Sequence, residues 1–267
     1  MDFERAKRAF DAYLEGFDQE DAKVKLKKVH TDGVVDWATK VATRMGLSQE
    51  DVELGRLIAL LHDIGRFEQV KRFDSFEPVT MDHAAYGVEI LSENGHAFLR
   101  SFIEEDVFDE IILQAIGYHS LYELPAISDE RILLHARLIR DADKLDNCRV
   151  KLVDSLDILL GMDAKAVGEL SISPKVWEQC LHEKAVFSPL RENRMDYWVS
   201  YVAYFFDINF PESAQYILEE DFVGRVIARI PYGNPDTARK MEKLQEMVEA
   251  YLRRLSERRT RNEKEGE

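Results

Sequence analysis

The chain has 267 residues, 45% of them hydrophobic, enough to bury a substantial core as one large domain or as a domain with a helical extension. Its 36 lysines and arginines face 51 aspartates and glutamates; the formal charge of −15 repels nucleic acid and anionic membrane, so a phosphate-bearing ligand needs a local positive site. Two cysteines make no disulfide framework, no apolar run approaches a membrane span, and the opening MDFERAKRAF has no apolar core, which together predict a reducing, cytoplasmic setting without a membrane partner.

Glycine and proline are sparse, and apolar residues recur every three or four positions, the helical spacing. Between Glu20 and Met45, His30, Val34, Trp37 and Val41 form one stripe, and Gly46 offers a left-handed stop. A second helix is predicted from the capping Ser48 through Val52, Gly55, Ile58 and Ala59 to His62, ended by Gly65. Phe67 to Val79, with mixed charge and Pro78 at its end, reads as a loop that could cover a site. Helices then resume over about Met81–Asn94, with Gly95 as stop, over Asp106–His119, and after Ser128 through Asp143 toward Leu160. Beyond Gly161 the metal-competent residues thin out and aromatic bulk takes over, including Trp177, Trp198, Tyr201, Phe205 and Phe206. A last amphipathic helix after Pro235 carries Met241, Leu244, Val248, Tyr251 and Leu255, a stripe suited to its own domain or, less commonly, to a second copy in a homo-oligomer. The charged RTRNEKEGE at the end should fray.

The informative feature is where histidine and aspartate fall on these helices. His30 shares its face with Val34 and Val41; His62 continues Val52, Gly55 and Ile58; His83 aligns with Gly87, Ile90 and Leu91. His119 completes Phe108, Ile111, Ile112 and Ala115, and Asp143 extends Ile132, Ala136 and Ile139. One histidine on an apolar face is ordinarily a satisfied core residue. Five stripes, each aiming a metal-competent side chain inward, point instead to a shared cation, which also accounts for the carboxylates of Asp63 and Asp143 on buried faces.

LLHDIGR (Leu60 to Arg66) resembles the signature of the HD-domain superfamily of metal-dependent phosphohydrolases. The family's ordered pattern, a His, then a His-Asp pair, then a distant Asp before a basic residue, is matched by His30, His62 with Asp63, and Asp143 in DADKL; the resemblance covers about Lys23 to Leu160. It implies an all-α HD-domain helical bundle, taken as residues 1–160, with a helical extension over 161–267 packed on it. DHAAYGVEIL (Asp82 to Leu91) and AIGYHS (Ala115 to Ser120) resemble the stretches that bring two more histidines, here His83 and His119, in two-metal members. The implied ligand set is then His30, His62, Asp63, His83, His119 and Asp143, with Asp63 bridging. A site with one ion, in which His83 and His119 only line the pocket, is the alternative; two ions are favoured. Asp141 reads as either a carboxylate that orients a ligand or a surface charge, and Asp146 first as a solvated charge.

Imidazole ligands suit Mn, Fe, Co, Ni or Zn better than Mg, so a divalent transition metal is expected. Such ions lower the pKa of bound water from 15.7 to about 7 and can clamp phosphoryl oxygens, which makes a nucleophile without Ser or Cys. Asp63, Arg66 and Lys144 form the expected catalytic set, with Lys71 and Arg72 of the covering loop as further cations for a small phosphorylated substrate. His96, His135, His182, Cys148 and Cys180 are read as structural. The expected reaction is hydrolysis of a small phosphomonoester or phosphodiester, a nucleotide among the candidates. An HD-type di-iron oxygenase and a catalytically inactive nucleotide-binding module are the alternatives. After His119 the chain reads HSLYELP, without the Gly-Tyr-Pro motif of cyclic-dinucleotide phosphodiesterases, and its length leaves no room for the synthetase domains of alarmone hydrolases.

Overall fold

The computed structural model describes residues 1–77 and 79–257, and among them every regular element is helical. The chain divides into two compact units, Met1–Asp146 and Asn147–Glu267. The charged tail after Arg258, expected to fray, lies outside the described residues.

The first unit comprises α1 (Phe3–Leu14), α2 (Ala22–Met45), α3 (Gln49–Leu61), α4 (Ile64–Phe73), α5 (His83–His96), the short α6 (Leu99–Phe102), α7 (Asp109–Tyr118) and the start of α8 (Glu130–Val153). The division between units therefore falls inside α8, N-terminal of the boundary at 160 expected from sequence. Local chemistry sets the helix ends. Asp21 caps α2 by accepting from Lys23 N and Val24 N, and Gly46 closes it at φ 75°. Ser48 caps α3 and Asp82 caps α5. Asp129 Oδ1 accepts from Arg131 N and Ile132 N and so caps α8. Leu57 to Leu61 of α3 are buried all round, which makes this helix the axis of the unit, with α1, α2 and α7 packed against it. Burying each such leucine or isoleucine contributes about 1.5–3 kcal/mol. Pairs α4–α5 and α5–α7 complete the bundle.

Three expectations are corrected. Gly65 does not stop α3; that helix ends at Leu61, and Gly65 lies inside α4, where a Cβ would meet His83 O at 2.3 Å and Gly87 N at 2.7 Å. Its role is to let the backbones of α4 and α5 touch. The expected loop from Phe67 to Val79 is helical to Phe73: Phe67 and Val70 face the core, while Glu68 and Arg72 pair at i, i+4 (3.1 Å), so the mixed charge was the solvent face of a helix. The helix expected to reach Leu160 breaks after Val153, and α9 (Leu156–Leu160) starts afresh at Ser155.

In the second unit α9 is followed by α10 (Ala164–Gly168), α11 (Pro174–Leu181), α12 (Arg194–Ala203), α13 (Pro211–Glu219), α14 (Phe222–Ile227) and α15 (Pro235–Ser256). Asn193 and Asp196 form a capping box at the start of α12, and buried Asp196 also accepts from Ser173 N (2.9 Å) and Ser173 Oγ (2.6 Å). The stripe of α15 (Met241, Leu244, Val248, Leu255) is buried within its own unit, against α12, α13 and α14. No described helix is long and apolar enough to cross a membrane.

Candidate metal centre

Asp63 is the pivot of the site. It occupies the N-cap position of α4, where an aspartate ordinarily accepts from the first turn, yet it makes no capping bond. Its carboxylate turns inward and divides between two groups of histidines. Oδ2 lies 3.6 Å from His62 Nε2 and 3.9 Å from His30 Nε2; Oδ1 lies 3.2 Å from His83 Nε2 and 3.8 Å from His119 Nε2. Asp143 Oδ1 joins the first group, 3.0 Å from His30 Nε2 and 3.9 Å from His62 Nε2. Two sets of potential ligand atoms lie within 4.8 Å of one another among the described residues: His30, His62 and Asp143, and His62, Asp63 and His119. His83 adjoins the second, its Nε2 3.1 Å from that of His119. All six residues expected as ligands therefore meet at one place.

The second nitrogen of three rings fixes which lone pair faces the centre. His62 Nδ1 donates to Ala59 O (2.7 Å), His119 Nδ1 to Ile116 O (2.7 Å), and His30 Nδ1 to the Asp146 carboxylate (2.7 Å). A neutral imidazole with its Nδ1–H so engaged presents an Nε2 lone pair, the arrangement that ligating histidines adopt. His30 Nε2 and His62 Nε2 are buried and make no hydrogen bond, although the former lies close to Asp143. Such orphaned acceptors would carry a desolvation penalty that a cation relieves. The donor set, four imidazoles and two carboxylates, fits a divalent transition metal.

Electrostatics agree. Burial lowers the pKa of His62, and brings those of His83 and His119 down to about 4, so these rings stay neutral donors at physiological pH. Burial and Lys27 also favour neutral His30, but the carboxylates of Asp143 and Asp146 outweigh them and raise its pKa; surroundings that favour a proton at Nε2 favour a metal cation there as well. Burial alone would raise Asp63, yet Lys27, His62, His83 and Arg66 hold it well below the usual carboxylate range. Asp143 is likewise raised by burial but lowered overall by His30 and His62.

Of the expected catalytic cations, Arg66 stands beside the centre. Its Nε is 3.6 Å from Asp63 Oδ1 and its Nη2 3.0 Å from His83 Nε2, while Nη1 is anchored on Gln69 Oε1 (2.6 Å) and Phe76 O (3.2 Å). Lys144 reaches back along its own helix, Nζ 3.4 Å from Arg140 O. Lys71 and Arg72 are not in the cluster: they belong to the last turn of α4, Lys71 over Phe17 and toward Gly16 O, Arg72 on Glu68 and Tyr86. The segment beside the site is instead residues 74–77 and 79–82, tied down by buried Gln69, whose Nε2 donates to Glu77 O (2.9 Å) and Thr80 Oγ1 (2.8 Å).

Lys27 escaped the sequence reading, and Asp146, weighed there as an orienting carboxylate, was read first as a solvated charge. Asp146 is no solvated charge: it is fully buried and orients His30, and it reaches that ring because Gly33, one turn beyond His30, leaves room; a Cβ there would lie 2.0 Å from Asp146 Oδ1. Lys27 places Nζ 2.6 Å from Asp63 Oδ2. The signal available for each was its spacing of three from a ligand, His30 or Asp143, which puts it one turn away on the same helix face. Asp141, left open between an orienting and a surface role, is fully buried. His135 is buried against Asp51 (3.2 Å), His96 bonds Asp109 (2.6 Å), and both cysteines are buried and outside any disulfide, as befits structural residues.

No curated protein and no solved structure matches the chain significantly. The HD domain family model matches residues 29–148, a span that runs from beside His30 to beyond Asp146 and contains all six convergent residues. With the helical bundle, the family match and the clustered His and Asp side chains in agreement, residues 29–148 carry an HD domain, the domain that defines a superfamily of metal-dependent phosphohydrolases.

Proposed function

We propose that the chain hydrolyses a small phosphomonoester or phosphodiester, with a nucleotide among the candidate substrates, using two divalent transition-metal ions held by His30, His62, Asp63, His83, His119 and Asp143. The observation that carries this reading is the division of Asp63: each carboxylate oxygen faces its own pair of histidines, as a bridging ligand requires. Ions bound there would polarise phosphoryl oxygens and activate water at neutral pH. The chain's own contribution is orientation and charge. Ala59 O, Ile116 O and Asp146 fix three imidazole rings, and Gln69 and the backbone of Phe76 fix the Arg66 guanidinium where it can contact an anionic substrate oxygen. The net charge of −15 selects against long polyanions and favours a small ligand drawn to this local site. Two cysteines outside any disulfide fit a reducing, cytoplasmic compartment.

The test is elemental analysis of the purified protein together with turnover of a panel of nucleotides and sugar phosphates under Mn, with and without oxygen. Phosphate release independent of oxygen, two ions per chain, and a loss of about 10³-fold or more in kcat for Asp63→Asn are expected. Saturation at a single ion refutes the dinuclear centre. Turnover that requires oxygen, or ligand binding without turnover, refutes the hydrolase.

A further inference from the structure

We propose that Lys27 is a phosphate-binding residue of this centre, gripping the substrate's phosphoryl group from the side opposite Arg66. The inference rests on the phosphohydrolase reading and extends it to a residue outside the family's ligand pattern. Lys27 sits on α2 one turn before His30, and its Nζ lies 2.6 Å from Asp63 Oδ2, while Arg66 Nε lies 3.6 Å from Oδ1. The two cations thus flank the carboxylate on either side. Both also face one aromatic ring, with Phe76 centred 5.5 Å from Lys27 Nζ and 6.0 Å from the Arg66 guanidinium carbon. Their side chains are 13% and 14% exposed against 3% for Asp63, which places them between the carboxylate and solvent.

Charge makes the case for an anion. Asp63, Asp143 and Asp146 bring three negative charges to the cluster, and Lys27 and Arg66 offset two of them. Any divalent ion then leaves a positive excess, and a second enlarges it. A lysine against a metal-ligating carboxylate weakens cation binding, because like charges disfavour one another at this range. A site that served only to hold metal would gain by losing it. The arrangement becomes favourable when a dianionic phosphoryl group completes it. The hydrogen bonds agree: an ammonium has three donors, and among the described residues Lys27 has one acceptor, Asp63 Oδ2, so two donors are left for phosphoryl oxygens. Arg66 is locked by Gln69 and Phe76, whereas Lys27, on a flexible four-carbon stem, can follow the group as it transfers.

The experiment is calorimetric titration of inorganic phosphate into the Mn-loaded full-length protein, paired with metal stoichiometry, kcat and KM, for wild type, Lys27→Met, Lys27→Arg and a surface control, Lys25→Met. Lys27→Met is expected to keep its metal, weaken phosphate binding at least tenfold and raise KM, with Lys27→Arg recovering most of the loss and Lys25→Met behaving as wild type. Should Lys27→Met fail to fold, Lys27→Gln carries the same expectation. The proposal is overturned if phosphate binds the Met or Gln variant as tightly as wild type, if the variant loses metal instead, which would make Lys27 a counter-ion of Asp63, or if wild type binds no phosphate. Phosphate binding that depends on Lys27 in a protein that hydrolyses no ester would sink the hydrolase reading alone; ester turnover with phosphate binding indifferent to Lys27 would sink this inference alone.

Discussion

Replacing Gly33 by alanine adds one methyl group in α2 and touches no expected metal ligand, yet it should disable the centre. In an ordinary helix interior the change stabilises by about 1 kcal/mol. Here the new Cβ would lie 2.0 Å from Asp146 Oδ1 and 2.5 Å from its Cγ, so the carboxylate has to move. Moving it breaks the buried, charge-assisted hydrogen bond from His30 Nδ1, 2.7 Å long, worth about 1.5–3 kcal/mol. Overpacking adds about 1–3 kcal/mol. The losses exceed the propensity gain, for a net destabilisation of roughly 2–5 kcal/mol. The functional effect is separate: with its tether gone the His30 ring is free to rotate, and metal affinity should fall about 10–100-fold. Urea unfolding in EDTA reads the first effect, and competition with a metal chelator reads the second. Asp146→Asn, which keeps an acceptor oxygen without the charge or the clash, should fall between wild type and Gly33→Ala in both. A Gly33→Ala protein as stable as wild type, with unchanged metal affinity, would refute the reasoning that α2 and α8 meet here to orient His30.

Two further outcomes follow from the same geometry. Burial depresses His83 and His119 from 6.5 to about 4, so below pH 6.5 the unfolded chain binds more protons than the folded one. The contribution of these two rings to the stability of the metal-stripped protein is then fully present above that value and falls as pH drops toward 4, by up to about 3 kcal/mol per ring, with His30, whose pKa is raised, acting in the opposite sense; urea midpoints in EDTA at pH 7 and pH 4.5 check it, and a flat profile contradicts it. Gln69→Ala removes the ties to Glu77 O, Thr80 Oγ1 and Arg66 Nη1, so amide exchange over residues 75–81 should accelerate and stability fall by about 2–3 kcal/mol; unchanged protection there would mean that the segment is held by something else.

What the sequence made legible follows from which signals survive projection onto one dimension. His30, His62, Asp63, His83, His119 and Asp143 could be found because each ends or continues an apolar stripe, and a polar group there needs a partner. Gly46 and Ser48 were legible because a helix stop and a cap act within a few residues. Gly33 and Gly65 were not, because their effect lies across a helix interface: Gly65 reads locally as a terminator, and only the closeness of α5, whose His83 O would lie 2.3 Å from a Cβ at this position, shows why a side chain has no place there. Lys27 was hidden by its neighbours. It sits in a run with Lys23, Lys25 and Lys28, three of which the fold pairs with surface acids, and nothing in composition separates the fourth from them. Only phase does, since Lys27 lies three residues before His30 and shares its inward face. A periodicity analysis that weighs apolar residues and familiar ligands assigns such a lysine to solvent. That omission is systematic: in a protein of net charge −15, the cations that matter for an anionic substrate are few and lie where hydropathy alone expects none, so they are best sought on the buried faces that carry the ligands.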